Sequence, residues 1–122
     1  MPPFDKILRS RQFNGANLTE ANLYRTDLTN VDLSGADLTK ADLLSANLTG
    51  ANLSKANLTG ANLSFANLTG ANLTNATLTD ISLSWAKLEN IKVDPNTLEK
   101  IQKMPQPPIE LVDGILVLKK QH

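Results

Sequence analysis

Cysteine is absent from the 122-residue sequence, which excludes disulfides, thiolate nucleophiles and cysteine-ligated metal centres. Histidine occurs once, as the last residue, His122, and it brings no partner set for imidazole catalysis or metal binding. Net charge is missing too, because twelve Lys and Arg balance twelve Asp and Glu. No global field therefore draws the chain onto nucleic acid or an anionic membrane, and an acidic surface imitating DNA is disfavoured. No apolar run approaches the ~18 residues that span a bilayer. The opening residues, MPPFDK, lack a continuous apolar segment, so no secretory signal is expected. These absences lead to the expectation of one soluble, cytoplasmic domain. Aromatics make up only 4% of the chain, so each one that interrupts a pattern carries information.

What the chain has in abundance is a repeat. Read in fives from Arg11, one register runs unbroken to Pro95, giving 17 pentapeptides with the consensus Ala-[Asn/Asp]-Leu-[Thr/Ser]-x. The third slot holds Phe13, then Leu at every fifth position from Leu18 to Leu88, then Val93. A period of five matches neither a 3.6-residue helix nor a long alternating strand. Within Ala-Asn-Leu, however, the outer two residues point one way and the middle one the other, as in a very short strand. The two residues that follow have turn chemistry. Identical corners repeated along a chain wind it into a coil with Leu and Ala inside, and stacked coils pair backbone to backbone about 4.8 Å apart. The expected fold is an all-β solenoid in which each coil is stabilised by its neighbours.

Residues 16–90 resemble the pentapeptide repeat proteins, whose A-[DN]-L-x-x tandem repeats they reproduce, most closely in the regular form found in cyanobacterial members. The resemblance implies a right-handed quadrilateral β-helix with four pentapeptides, or 20 residues, per coil, hence about four coils over residues 11–95. The large apolar residues in outward slots support four sides independently. Tyr24, Leu44, Phe65 and Trp85 fall in pentapeptides 2, 6, 10 and 14 when counted from zero at Arg11. Division by four leaves one remainder for all of them, so a four-sided coil gathers them on one face.

The ends read as caps. Residues 1–10 form an expected N-terminal helical plug, with Phe4, Ile7 and Leu8 on one side. Residues 96–104 read as a short helix started by Asn96 or Thr97, with Leu98 and Ile101 turned inward. The tail, 105–122, opens with helix-breaking prolines and carries two apolar runs around Asp113-Gly114, a hairpin signal.

No catalytic constellation is visible: Ser and Thr are plentiful, but none has a base to activate it. The protein is expected to be no enzyme and to need no cofactor or metal. Asp27, Asp32, Asp37 and Asp42 would ring one coil, pointing in four directions and unable to converge on one ion. Over 16–95 there are eight acids and five bases, a mild excess. The NLT and NLS triplets follow from the repeat and are not read as glycosylation sites. Thr19, Thr39, Thr59 and Thr79 make a column of the kind that orders water, so ice binding is a minor alternative. The face with Tyr24, Leu44, Phe65 and Trp85 is the candidate binding surface, since exposed apolar patches mark interaction sites and Tyr and Trp are favoured anchors. The expected role is protein–protein contact or scaffolding, with an unidentified protein or a second copy as partner, and with neither nucleic acid nor membrane. A gyrase-interacting DNA mimic, known within the resembled family, is the further alternative, though the chain is short and neutral for it.

Overall fold

A computed structural model describes residues 11–104 and the backbone of 109–112 and 115–118. The capping helix expected over 1–10 lies outside the described residues.

From Gln12 onward each second-slot residue pairs in parallel with the residue 20 positions later, from Gln12 with Asp32 to Asn72 with Lys92. One coil is therefore four pentapeptides. Each side contributes a single bridged residue rather than the short strand expected from Ala-Asn-Leu, because the corner consumes the rest of the pentapeptide. The ladder uses three bonds per repeat. Leu53 N donates to Asn72 O (2.7 Å), Lys55 N to Thr74 O (2.9 Å), and Asn52 N donates in the opposite direction, to Val31 O of the preceding coil (2.9 Å). A fourth bond closes the corner, as from Ala56 N to Leu53 O (3.1 Å).

The interior is filled by one column of third-slot side chains and one of first-slot side chains per side. Leu33, Leu38, Leu48, Leu53 and Leu58 are wholly buried, as are Ala36, Ala41, Ala51 and Ala56. Burying each Leu is worth about 1.5–3 kcal/mol, which makes the leucine columns the largest favourable term in the rod. Ala fits the first slot because it lies just inside a corner, where Val31 is the largest residue wholly buried.

At each described end a charged side chain bonds backbone groups of the neighbouring rung. At the start, the Arg11 guanidinium donates to the carbonyls of Asp27 and Thr29 (3.2 Å each) and lies 3.8 Å from the Asp27 carboxylate. At the other end, Asp94 Oδ1 accepts the Asn75 amide (2.8 Å), in place of Asp94's own backbone carbonyl, which here accepts Leu98 N (3.0 Å) and begins the helix. Asp94 is also the N-cap of helix α1 (Pro95–Gln102), accepting from Thr97 N. This corrects the expected cap at Asn96 or Thr97: Pro95, with φ preset and no N–H to lose, occupies the first helical position, so the cap is Asp94, two residues before Asn96. Thr97 and Ile101, one turn apart, are buried against the last coil, while Leu98 is half-buried. Strands β1 (Ile109–Val112) and β2 (Ile115–Leu118) pair antiparallel with Val112 opposite Ile115, leaving a two-residue connection at Asp113-Gly114.

Candidate interaction surface

Each corner is built from the fourth and fifth slots and is held by the second. The Asn or Asp Oδ1 accepts the backbone N–H two residues on, as in Asn57 with Thr59 (3.1 Å), and also the hydroxyl of that same Thr (2.6 Å). This Asx turn explains why the consensus couples [Asn/Asp] to [Thr/Ser]. The fifth slot is left-handed at every repeat from Gly15 to Asn90, with φ between 56° and 71°. An i to i+3 bond with positive φ at the third residue is the type II pattern. Glycine and asparagine adopt that conformation readily, whereas a bulky side chain there is costly.

Phe65 and Trp85 nonetheless occupy fifth slots, at φ 61° each, and are 59% and 58% exposed. Tyr24, 51% exposed, and the half-buried Leu44 occupy fourth slots. There they keep the Asx bond to the backbone, Tyr24 N to Asn22 and Leu44 N to Asp42, but forfeit the hydroxyl bond that Thr or Ser would add. All four share one side of the coil, as the spacing implies, but they stand in two adjoining columns rather than one. The fourth-slot column runs Tyr24, Leu44, Ser64, Ser84 and the fifth-slot column runs Arg25, Ser45, Phe65, Trp85. Ladder bonds lock the columns rung by rung: Arg25 N to Leu44 O (3.0 Å), Ser45 N to Ser64 O and Phe65 N to Ser84 O (2.9 Å each). The Arg25 guanidinium sits 6.0 Å from the centre of the Tyr24 ring, within cation–π range. Arg25 belongs to this surface and was legible from the same slot arithmetic, but a search for apolar residues passes over it.

The remaining sequence candidates are used locally. Thr29, Ser34 and Thr39 hydroxyls and amides bind Asp27, Asp32 and Asp37 and hold these carboxyls below their ordinary range. The four aspartates lie on four different sides. Among the described residues no three His, Cys, Asp or Glu side chains gather as metal ligands. In the Thr column, Thr39 and Thr59 commit their hydroxyls to Asp37 and Asn57. A groove of about 490 Å³ between the last coil and α1 has Leu78, Ile81 and Met104 on its walls and Lys100 and Lys103 at its rim.

A family model described as pentapeptide repeats (8 copies) matches residues 12–43, 41–80 and 56–92. The chain belongs to the pentapeptide repeat family. Among solved pentapeptide repeat structures it is similar to alr5209 from Nostoc Pcc 7120, with 44% identity, a TM-score of 0.73, and 76% of this chain and 78% of that one covered. Rfr23 from Cyanothece 51142 is 42% identical with a TM-score of 0.50, over 68% of this chain and 64% of that one. QnrB1, a plasmid-mediated fluoroquinolone resistance protein, is 23% identical with a TM-score of 0.51, over 74% of this chain and 42% of its own; that likeness is one of fold. No curated protein matches the chain. Among the described residues no helix is long and apolar enough to cross a membrane.

Proposed function

We propose that this chain is a non-enzymatic, right-handed pentapeptide repeat rod that binds protein through the corner carrying Tyr24, Leu44, Phe65 and Trp85. The observation that carries the reading is the pair of exposed rings at left-handed positions. Phe65 and Trp85 share the left-handed backbone of every fifth slot, where a bulky ring is costly, and bury less than half their surface, so folding gives no reason for an aromatic there, and exposed apolar side chains gathered on one corner mark an interaction site. The hydroxyls of Thr29, Ser34, Thr39, Thr49, Ser54, Thr59 and Thr69 are tied into Asx corners, which favours binding over catalysis. Fluoroquinolone resistance of the QnrB1 kind is not proposed, since a DNA-like surface requires strong negative charge and this chain has a net charge of zero. Ice binding is also set aside, because the two central threonines of the column, Thr39 and Thr59, commit their hydroxyls to Asp37 and Asn57 within their own corners.

The test is site-specific photo-crosslinking in native lysate. A photoreactive residue at Ser84, beside the rings, is expected to capture protein, and one at Ser54, on a different side of the coil, is not. Equal capture at the two positions would refute the assignment of the face.

A further inference from the structure

The two columns of this corner are large and small in a pattern that complements itself. In coil order the fourth-slot column is large, large, small, small: Tyr24, Leu44, Ser64, Ser84. In the fifth-slot column the aromatics occupy the other two coils, as Phe65 and Trp85. A two-fold axis across the corner, perpendicular to the coil axis and midway between the Leu44 and Phe65 coils, reverses coil order and keeps each column facing its own kind. Tyr24 then faces Ser84 of the second copy, Leu44 faces Ser64, and Phe65 faces Ser45. Trp85 faces Arg25, which already borders the Tyr24 ring at 6.0 Å, so an aromatic cage closes on the guanidinium from both copies. Such isologous pairing, in which residue i meets j and j meets i, is what a two-fold dimer requires.

Charge selects this axis over its alternative. A two-fold axis parallel to the rod also sets large against small, but it brings the two Arg25 side chains side by side on one rung. The perpendicular axis separates them by three rungs, about 14 Å at strand spacing, and removes the like-charge contact that disfavours the parallel pair. We infer that the partner of this corner is a second copy of the same chain, docked antiparallel across it, an inference that rests on the reading of the corner as a protein-binding face. Three half-exposed rings offer roughly 100 Å² each, well short of the ~800 Å² per partner of a standard interface. The dimer is accordingly weak and forms in proportion to concentration.

The chain lacks cysteine and has one tryptophan, Trp85, so both readouts are clean. Mass by sedimentation and iodide quenching of Trp85 are followed for the purified full chain from the low-micromolar to the millimolar range. The expected result is a mass rising toward twofold, with quenching falling over the same range. Phe65→Asn/Trp85→Asn, which places a residue native to this slot at Asn30, Asn75 and Asn90, is expected to keep its melting temperature and stay monomeric. Under oxidation Ser64→Cys, one rung from its mate, cross-links, and Ser84→Cys, three rungs from its mate, does not. Equal cross-linking of the two would overturn the antiparallel arrangement, and dimerisation of the double variant would overturn the corner. A wild type that stays monomeric overturns self-pairing. In that case capture at Ser84 in lysate preserves the protein-binding reading, Trp85 shielded at every concentration assigns the corner to the chain's own tail, and loss of both overturns the two readings together.

Discussion

Replacing Leu58 by Ala probes the interior at its least yielding point. Leu58 is wholly buried, in the third coil, stacked between Leu38 and Leu78 of the coils on either side. Its backbone is pinned on both sides, since Leu58 N donates to Thr77 O (2.9 Å) and Ala61 N donates to Leu58 O (2.9 Å). The rungs cannot close over a void without breaking these bonds, so the cost belongs in the upper part of the 2–5 kcal/mol range for buried Leu→Ala, about 4 kcal/mol. For a domain of this size that lowers the melting temperature by roughly 15–30 °C. Thr59→Ala, the next residue, loses one half-exposed hydroxyl bond to Asn57 (2.6 Å), worth about 1 kcal/mol. Leu18→Ala, in the first described coil and already 7% exposed, falls between the two because its surroundings relax. Thermal unfolding followed by circular dichroism ranks the three variants. Equal losses at Leu58 and Thr59 would refute the inward and outward assignment of the slots.

Acid should loosen the C-terminal end. The Asp94 carboxyl is pulled from 3.8 down to about 2, first by the Thr97 hydroxyl and then by the Asn75 amide. A depressed folded-state value means its contribution is fully present above the unfolded value near 3.9 and disappears as pH falls from there through about 2. Amide exchange at Asn75 and in α1 is expected to rise in that window, and Asp94→Asn is expected to flatten the dependence; an unchanged profile in the variant would contradict the double capping role. Phe65→Asn/Trp85→Asn is expected to alter unfolding free energy by no more than about 1 kcal/mol, relief of left-handed strain offsetting the lost half-burial; a loss as large as that of Leu58→Ala would place the rings in the core. Deleting residues 51–55 removes one side, leaving a folded rod whose Phe65 and Trp85 move one corner away from Tyr24 and Leu44. The far-ultraviolet spectrum should persist while concentration-dependent mass growth vanishes; persistent growth would contradict the corner assignment.

Much of this was legible because the repeat exposes its own logic. Unbroken third-slot Leu identified the core, Thr/Ser with a small or polar fifth residue identified the corner, and the spacing of Tyr24, Leu44, Phe65 and Trp85 supported the four sides that the family resemblance implied. Four features were not read. The Asn and Asp side chains look like solvated surface in sequence, yet Asn57 turns its carboxamide back onto Thr59; the signal was the pairing of Asn/Asp with Thr/Ser two residues later. The left-handed fifth slot was hidden because glycine holds it at only five described corners, while Glu20, Lys40, Phe65 and Trp85 adopt the same φ, held there by ladder bonds that override residue preference. The cap at Asp94 was missed because its pull is non-local: Asn75, nineteen residues earlier, is half of its role. Side-by-side columns at the binding corner also required knowing that fourth and fifth slots share a corner while belonging to separate stacks.

The central claim, that four pentapeptides per coil assemble a self-pairing aromatic corner, is tested most directly by nitrogen–proton correlation spectra of the labelled chain recorded from micromolar to millimolar concentration. The account expects concentration-dependent shifts confined to Tyr24, Arg25, Leu44, Ser45, Phe65 and Trp85 with their immediate neighbours on that corner. Shifts centred on α1 or on the Thr39–Thr59 corner, or spectra that do not change at all, would contradict it.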